Sequence, residues 1–296
     1  MQLMTARKKP GKNRASLLLL LFLFLLAGCS PTGNTTELQG HIVAAGSTAL
    51  RPLVELAAKE FQHKYPGVVI DVQGGGSIQG LKLVTTKQVH IGNSDIYADP
   101  ALYPDPQLTD HIVCAIPFVM IVHPDIKLDS LSQQNIIDIF STGKLNNWAQ
   151  LGGPDQQIVP IVRPASSGTR ATFRKYILEG RDENGTLLKT DSSDEVRDIV
   201  ARTPGAIGYV AVSYLSKAVH AISIDGQKPT IETIQAGKYR FWGYEHMYTL
   251  GDENAPVRAF LDFMLTPEIQ QQAQKLGYIS VSALNRVQVY PKERPL

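Results

Sequence analysis

Residues 163–170, with the sequence RPASSGTR, combine hydroxyl and guanidinium donors and contain no acidic side chain. The stretch follows an apolar run at 158–162 and precedes an amphipathic run, which predicts a strand, a turn and a helix N-terminus. The first N–H groups of a helix lack internal partners, and the helix dipole is positive there. Ser166 or Ser167 can cap this helix, and Gly168 lets the backbone approach a ligand. The pattern favours half of a site for a small oxyanion, although an ordinary N-cap beside a solvated arginine fits as well.

Three further turns have similar chemistry and also follow predicted strands. They are AGSTA at 45–49, GGGS at 74–77 and NSD at 93–95. Each turn alone is weak evidence, because glycine and serine are common in turns of every kind. Their recurrence predicts one site at the carboxyl ends of parallel strands. Asp95 is the exception among these donors, and its alternative role is a helix N-cap.

These four stretches, together with 139–148, 205–209 and 276–279, resemble the phosphate-binding proteins of bacterial ABC importers. The resemblance implies an α/β, two-lobed periplasmic-binding-protein fold of type II, with mostly parallel sheets flanked by helices and joined by hinge strands. It also implies an anion held by Thr48, the Ala49 backbone, Ser77, Asp95, Arg163, Ser167, Gly168 and Thr169. The chain departs from the family where Pro164 and Ala165 replace an acidic residue and Ser166 replaces a glycine. These departures predict a less tightly oriented Arg163.

Asp95 gives a physical reason to expect phosphate. A doubly charged anion that leaves water needs many fixed donors, so one arginine must share the task with hydroxyls and dipoles. A carboxylate among them would accept the proton of monohydrogen phosphate, whereas sulfate at neutral pH has no proton to give. The unpaired acceptor would then discriminate against sulfate.

The elements that position these turns alternate between strand and helix from residue 41 onward, as in parallel α/β sheets. The apolar run at 112–123 is longer than one strand needs, and we expect it to cross between lobes. A return crossing is expected at 247–250. The predicted division is residues 41–118 with 246–296 for lobe 1, and residues 119–245 for lobe 2.

The N-terminus reads as a targeting segment. Basic residues precede an apolar run at 17–27, which is shorter than the about 20 residues that span a bilayer. The run ends in LAGC, which resembles a bacterial lipobox. We expect a lipoprotein signal peptide over 1–28, lipidation of Cys29 and a flexible tether over 29–40, in a protein anchored to the outer face of the cytoplasmic membrane or in the periplasm. The alternatives are an uncleaved anchor and a plain signal peptide.

Composition excludes several other classes. Without the five basic residues of the signal segment the formal charge falls from +2 to −3, which argues against a nucleic-acid binder. Only Cys114 accompanies Cys29, so there is no disulfide framework, and the seven histidines lack metal-like spacing. Ser141 and Lys144 match the S-x-x-K pattern of penicillin-recognising hydrolases, but its companion motifs are absent.

The sequence therefore predicts a receptor without enzymatic activity, cofactor or metal. Its expected partners are inorganic phosphate, the membrane through Cys29 and the permease of an ABC importer, and the receptor is expected to be a monomer. The alternatives are the same fold with another oxyanion (sulfate, molybdate or tungstate), a phosphate sensor, and a serine-dependent hydrolase.

Overall fold

The computed structural model describes residues 38–184, 188–189, 192–251 and 253–284. The predicted signal peptide, Cys29 and nearly all of the predicted tether lie outside the described residues. Within these residues, no helix has the length and apolar character needed to cross a bilayer.

The described chain alternates between strands and helices, as predicted. The strands are β1 (Gly40–Gly46), β2 (Val68–Gln73), β3 (Ile91–Ser94), β4 (Leu108–Val122), β5 (Ser130–Leu131), β6 (Val159–Val162), β7 (Leu188–Lys189), β8 (Ala206–Ala211), β9 (His220–Ile224), β10 (Trp242–Leu250) and β11 (Ile279–Ser280). The α-helices are α1 (Arg51–Lys64), α2 (Ser77–Thr85), α3 (Gln133–Ile137), α4 (Gly168–Tyr176), α5 (Ser193–Arg202), α6 (Ile231–Gln235), α7 (Ala255–Met264), α8 (Pro267–Lys275) and α9 (Val281–Leu284).

The strands form two groups that share β4. In the first group, β2, β1 and β3 are parallel, while β10 joins β3 to β4 by antiparallel pairing and β11 also pairs with β4. In the second group, the end of β4 pairs antiparallel with β8 and β9, and β8, β6 and β7 run parallel. The predicted α/β architecture is confirmed, with antiparallel strands where the two groups meet.

The long apolar run is one strand that changes partners. Pro117 makes the last pair of β4 with β10, opposite Trp242, and Phe118 makes the first pair with β8, opposite Ala211. Residues 113–122 are all buried, because this central strand is covered on both faces. The run at 112–123 therefore contains the change of strand partners, and its role as a crossing between lobes stays a prediction.

The pairing of β10 with the first strand group begins before 247–250, where the return crossing is predicted. β10 pairs with β4 from Trp242 through Leu250, and Met247 also pairs with Asn93 of β3. The whole strand thus belongs to the first group, and the chain returns to it before Trp242. The first half of β10 mixes aromatic, glycine and acidic residues, so its apolar pattern begins late in the sequence. Which parts move as lobes stays a prediction.

Buried side chains fix α1 against the first group of strands. Its buried face contains Leu53, Val54 and Ala57, and Phe61 contacts Phe260 of α7 with ring centroids 5.3 Å apart. Full burial of such side chains stabilises the fold by about 1.5–3 kcal/mol each. The packing fixes the start of α1, and the turn that precedes it, at the carboxyl end of β1.

Candidate functional site

The predicted strand, turn and helix around residue 167 are confirmed. β6 ends at Val162, and α4 begins at Gly168 with Ser167 as its cap. The Oγ of Ser167, and not that of Ser166, accepts the N–H of Arg170 at 3.2 Å. Because this oxygen acts as an acceptor in the cap, its hydroxyl proton remains available for an anion.

Arg163 is buried, and its guanidinium joins two other turns. Nη2 donates to Oγ1 of Thr48 at 2.7 Å, and Nη1 donates to Oγ of Ser193 at 3.0 Å. The two hydroxyl oxygens lie 3.0 Å apart. Since both oxygens accept from the guanidinium, their protons are directed to each other or to a ligand. The arrangement places a full positive charge behind two hydroxyl donors, and it holds Arg163 in place without the acidic neighbour that the sequence lacks.

Asp95 lies at the end of β3 with 5% of its surface exposed. Its N–H donates to Oγ of Ser77 at 2.9 Å, and its Oδ2 accepts from Oγ1 of Thr169 at 2.8 Å. Residues 95–107 contain bends and turns but no helix. The alternative that Asp95 is a helix N-cap is therefore wrong.

Two glycines allow the turns to approach one another. A Cβ at Gly76 would lie 2.6 Å from the carbonyl oxygen of Ser166, and the φ of Gly76 is +88°. A Cβ at Gly168 would collide with Oγ of Ser77. The backbone N–H of Ile78 donates to that same Ser166 carbonyl at 3.1 Å, so the starts of α2 and α4 are in direct contact.

Two tyrosines hold the turn that contains Thr48 and Ala49. Tyr214 donates to the carbonyl of Thr48, and Tyr278 donates to the carbonyl of Ala49, both at 2.6 Å. Burial raises the pKa of Tyr214 to about 12 and that of Tyr278 well above its usual range, so both hydroxyls stay protonated at neutral pH. Ala49 itself is buried, and the turn is fixed through its carbonyl groups.

A second buried hydrogen-bond network connects α4 to β8 through Glu183. Glu183 accepts a hydrogen bond from Nε of Arg170 and a 2.8 Å bond from the hydroxyl of Tyr209. The same tyrosine oxygen accepts the backbone N–H of Arg163 at 3.4 Å, and its ring stacks on Phe173 at 4.1 Å. This network connects the backbone of Arg163 to α4.

Sequence reasoning missed three buried polar residues in and around the site: Ser193, Glu183 and Glu245. Ser193 follows Ser192, which caps α5 by accepting the N–H of Glu195 at 3.3 Å. A serine directly after a helix cap was the available signal for Ser193. Glu183 and Glu245, a buried residue of β10 beside Asp95, had no such signal, because each lies far along the chain from the group that it contacts.

The eight predicted residues converge at the starts of α1, α2 and α4, with the start of α5 joining them. Each helix dipole contributes roughly half a positive charge at its N-terminus. Together with Arg163 these dipoles outweigh the carboxylate of Asp95 and favour an anion. The described residues include no group of three histidine, cysteine or acidic side chains that could hold a metal ion.

Comparison with known proteins gives a consistent family. Residues 31–268 match the model of the PBP superfamily domain. The chain is 40% identical to the phosphate-binding protein PstS of Bacillus subtilis over 287 residues, which cover 92% of this chain and 95% of that protein. It is 24% identical to PstS of Borreliella burgdorferi over 90% of this chain and 97% of that protein.

Solved structures of phosphate-binding proteins are similar to this chain. A protein from Clostridium perfringens, described as a phosphate ABC transporter substrate-binding protein and crystallised with bound phosphate, superposes with a TM-score of 0.76 at 27% identity. The match covers 82% of this chain and all of that protein. An ABC-type phosphate transport receptor from Vibrio cholerae has the same fold, with a TM-score of 0.65 at 24% identity over 80% of this chain and 99% of that one. The chain therefore belongs to the PBP superfamily, in the family of the bacterial phosphate-binding proteins.

Proposed function

We propose that this protein is the extracytoplasmic receptor of an ABC importer and that it binds inorganic phosphate at the site around Arg163. The observation that carries the proposal is the buried cluster of Arg163, Thr48 and Ser193, together with the buried carboxylate of Asp95 bonded to Thr169. The relative from B. subtilis is named a phosphate-binding protein, and the related C. perfringens structure contains phosphate.

The donor set suits a doubly charged tetrahedral anion. Removing such an ion from water is costly unless fixed donors replace its hydration. Arg163 supplies the charge, and the hydroxyls of Thr48, Ser77, Ser167 and Thr169 supply hydrogen bonds from different directions. Charge-assisted bonds of this kind are roughly twice as strong as neutral ones.

Asp95 is the basis of the preference for phosphate over sulfate, molybdate or tungstate. Its Oδ2 accepts from Thr169, and a carboxylate oxygen has room for a second donor. The O–H of monohydrogen phosphate would be that donor. An anion without a proton would instead face a buried negative oxygen, and the repulsion would lower its affinity.

The structure gives no support to a serine-dependent hydrolase. Oγ of Ser77 and Oγ of Ser167 accept backbone N–H groups of Asp95 and Arg170. Among the described residues, the hydrogen bonds of the histidine rings go to other groups than these serines. A nucleophile needs a positioned base, and Gly143 of the S-x-x-K sequence takes the left-handed conformation that ends a helix.

Lipid attachment would hold the receptor close to a membrane permease, and the LAGC sequence at 26–29 supports such attachment at Cys29. The Cys29→Ala variant should lose labelling by fatty acids in cells and accumulate as precursor or in soluble form. Continued labelling of this variant would contradict the anchor while leaving phosphate binding untouched.

The binding proposal itself is tested by a calorimetric titration of the purified protein with phosphate. Saturable binding at one site per chain is expected. A titration without saturable heat, together with failure of phosphate to protect the protein against thermal unfolding, would contradict the proposal.

A further inference from the structure

Glu245 is a fully buried carboxyl group that the phosphate site described above does not use. It lies on β10 opposite Cys114 of β4, next to an irregularity in the pairing between Glu245 and His246. On the other edge, β10 pairs with β3 through Met247 and Asn93 and through His246 and Ser94. Extending this antiparallel register by one residue places Glu245 opposite Asp95.

The register and the burial of both residues bring the carboxyl groups of Glu245 and Asp95 together, and the charge of Asp95 acts on Glu245. Within the described residues, both oxygens of Glu245 and Oδ1 of Asp95 are buried and have no hydrogen-bond donor. Oδ2 of Asp95 is already engaged by Thr169. A carboxylate can only accept, so a bond between two carboxyl groups requires a proton on one of them.

The surroundings decide which group holds this proton. Burial, and then the charge of the nearby Asp95, raise the pKa of Glu245 well above its ordinary range. The other titratable groups that face it are the thiol of Cys114 on β4 and the hydroxyl of Tyr278 before β11, and neither carries a positive charge. The neighbouring His246 is engaged by Asp110 at 2.8 Å, and no ion pair in the described part of the chain includes Glu245. The environment therefore favours a neutral Glu245.

We infer that Glu245 is a positioning residue, a neutral carboxylic acid that donates its proton to Oδ1 of Asp95 and keeps Asp95 as the acceptor of the phosphate site. The inference rests on the proposed function. If the proton moved to Asp95, that residue would become a donor and would suit an anion without a proton. The selectivity of the site would then depend on which of two buried carboxyl groups carries one proton.

Two variants of nearly equal size separate this role from simple packing. Glu245→Gln keeps a neutral side chain with an N–H donor, whereas Glu245→Met keeps the length and removes the donor. Circular dichroism and thermal unfolding of both purified proteins establish that they are folded. Phosphate affinity is measured by calorimetry, and the infrared spectrum at neutral pH reports the C=O stretch of a protonated buried carboxyl group.

The inference predicts phosphate affinity within about threefold of the parent for Glu245→Gln, and a loss of about 5- to 100-fold for Glu245→Met, whose Asp95 keeps a buried acceptor without its donor. The protonated-carboxyl band should be present in the parent and absent in Glu245→Gln. Unchanged affinity in a folded Glu245→Met, an equal loss in both variants, or a parent spectrum without the band would each overturn it. If the parent itself binds no phosphate, the proposed function fails, and the infrared comparison still decides whether Glu245 holds the proton.

Discussion

At the scale of single residues, we expect the affinity of the proposed site to depend first on Arg163. Its guanidinium is buried and holds the hydroxyls of Thr48 and Ser193 at once. Arg163→Ala should weaken phosphate binding by about 2–5 kcal/mol, because a buried anion loses its charge-assisted partner. Arg163→Lys should recover only part of the loss, since an ammonium cannot reach both hydroxyls with the same geometry.

Calorimetry on these variants measures the loss, and Arg258→Ala, a change at an exposed position of α7, is the matched control. The control should bind phosphate like the parent. An Arg163→Ala variant with parental affinity would place the site elsewhere.

At the same scale, we expect Asp95 to govern the selectivity of the site. Asp95→Asn keeps the size of the side chain and replaces one acceptor oxygen with an NH₂ donor. Its affinity for phosphate should change modestly, while sulfate should gain, with a shift in preference of about 1–3 kcal/mol. Competition binding of both anions measures the shift, and Asp125→Asn at an exposed position serves as the control. A variant that rejects sulfate as strongly as the parent would remove Asp95 from the selectivity mechanism.

The sequence could predict single residues where a local pattern marked them. Ser167 and Gly168 follow a strand and begin a helix, and Asp95 ends a short strand among donors. A window of a few residues was therefore enough to identify each as a candidate site residue. Ser193 contacts Thr48, which lies 145 positions away in the sequence. Glu245 interacts with Asp95, which lies 150 positions away. No local pattern encodes contacts of that kind.

At the scale of elements, the alternation of strands and helices predicted the parallel parts of both strand groups. It did not predict that β10 runs antiparallel between β3 and β4. A long apolar run such as β4 shows that a strand is buried on both faces, but it does not identify the neighbouring strands. For the same reason the sequence predicts the return at 247–250, whereas the pairing of β10 with β4 begins at Trp242.

The elements that connect the two strand groups are also the expected hinge. Several contacts join the turns of the predicted lobes across the site, including the ion pair between Arg51 and Asp194 at 3.1 Å and the bond between Thr169 and Asp95. If phosphate completes this set of contacts, its binding should favour the closed arrangement. Small-angle X-ray scattering should then give a smaller radius of gyration with phosphate than without it.

Arg163→Ala, measured at the same phosphate concentration, is the control for this change and should keep the larger radius. An equal radius for the parent with and without saturating phosphate would count against a hinge, although not against binding.

At the scale of the whole molecule, the first strand group contributes the turns that contain Thr48, Ser77 and Asp95, and the second contributes Arg163 and the start of α4. The two groups share β4, so one strand places both halves of the site relative to each other. The two-lobed fold followed from a resemblance that extends along most of the chain. The boundaries of the two moving lobes stay a prediction, because strand order alone contains no information on motion.

The measurement that tests the central claim most directly is calorimetric titration of the purified parent protein with phosphate and with sulfate under the same conditions. The buried donors around Arg163 predict tight binding of phosphate, and the carboxylate of Asp95 predicts that sulfate binds much more weakly and displaces phosphate poorly. Equal affinities for the two anions, or stronger binding of sulfate, would contradict the assignment of this site to phosphate.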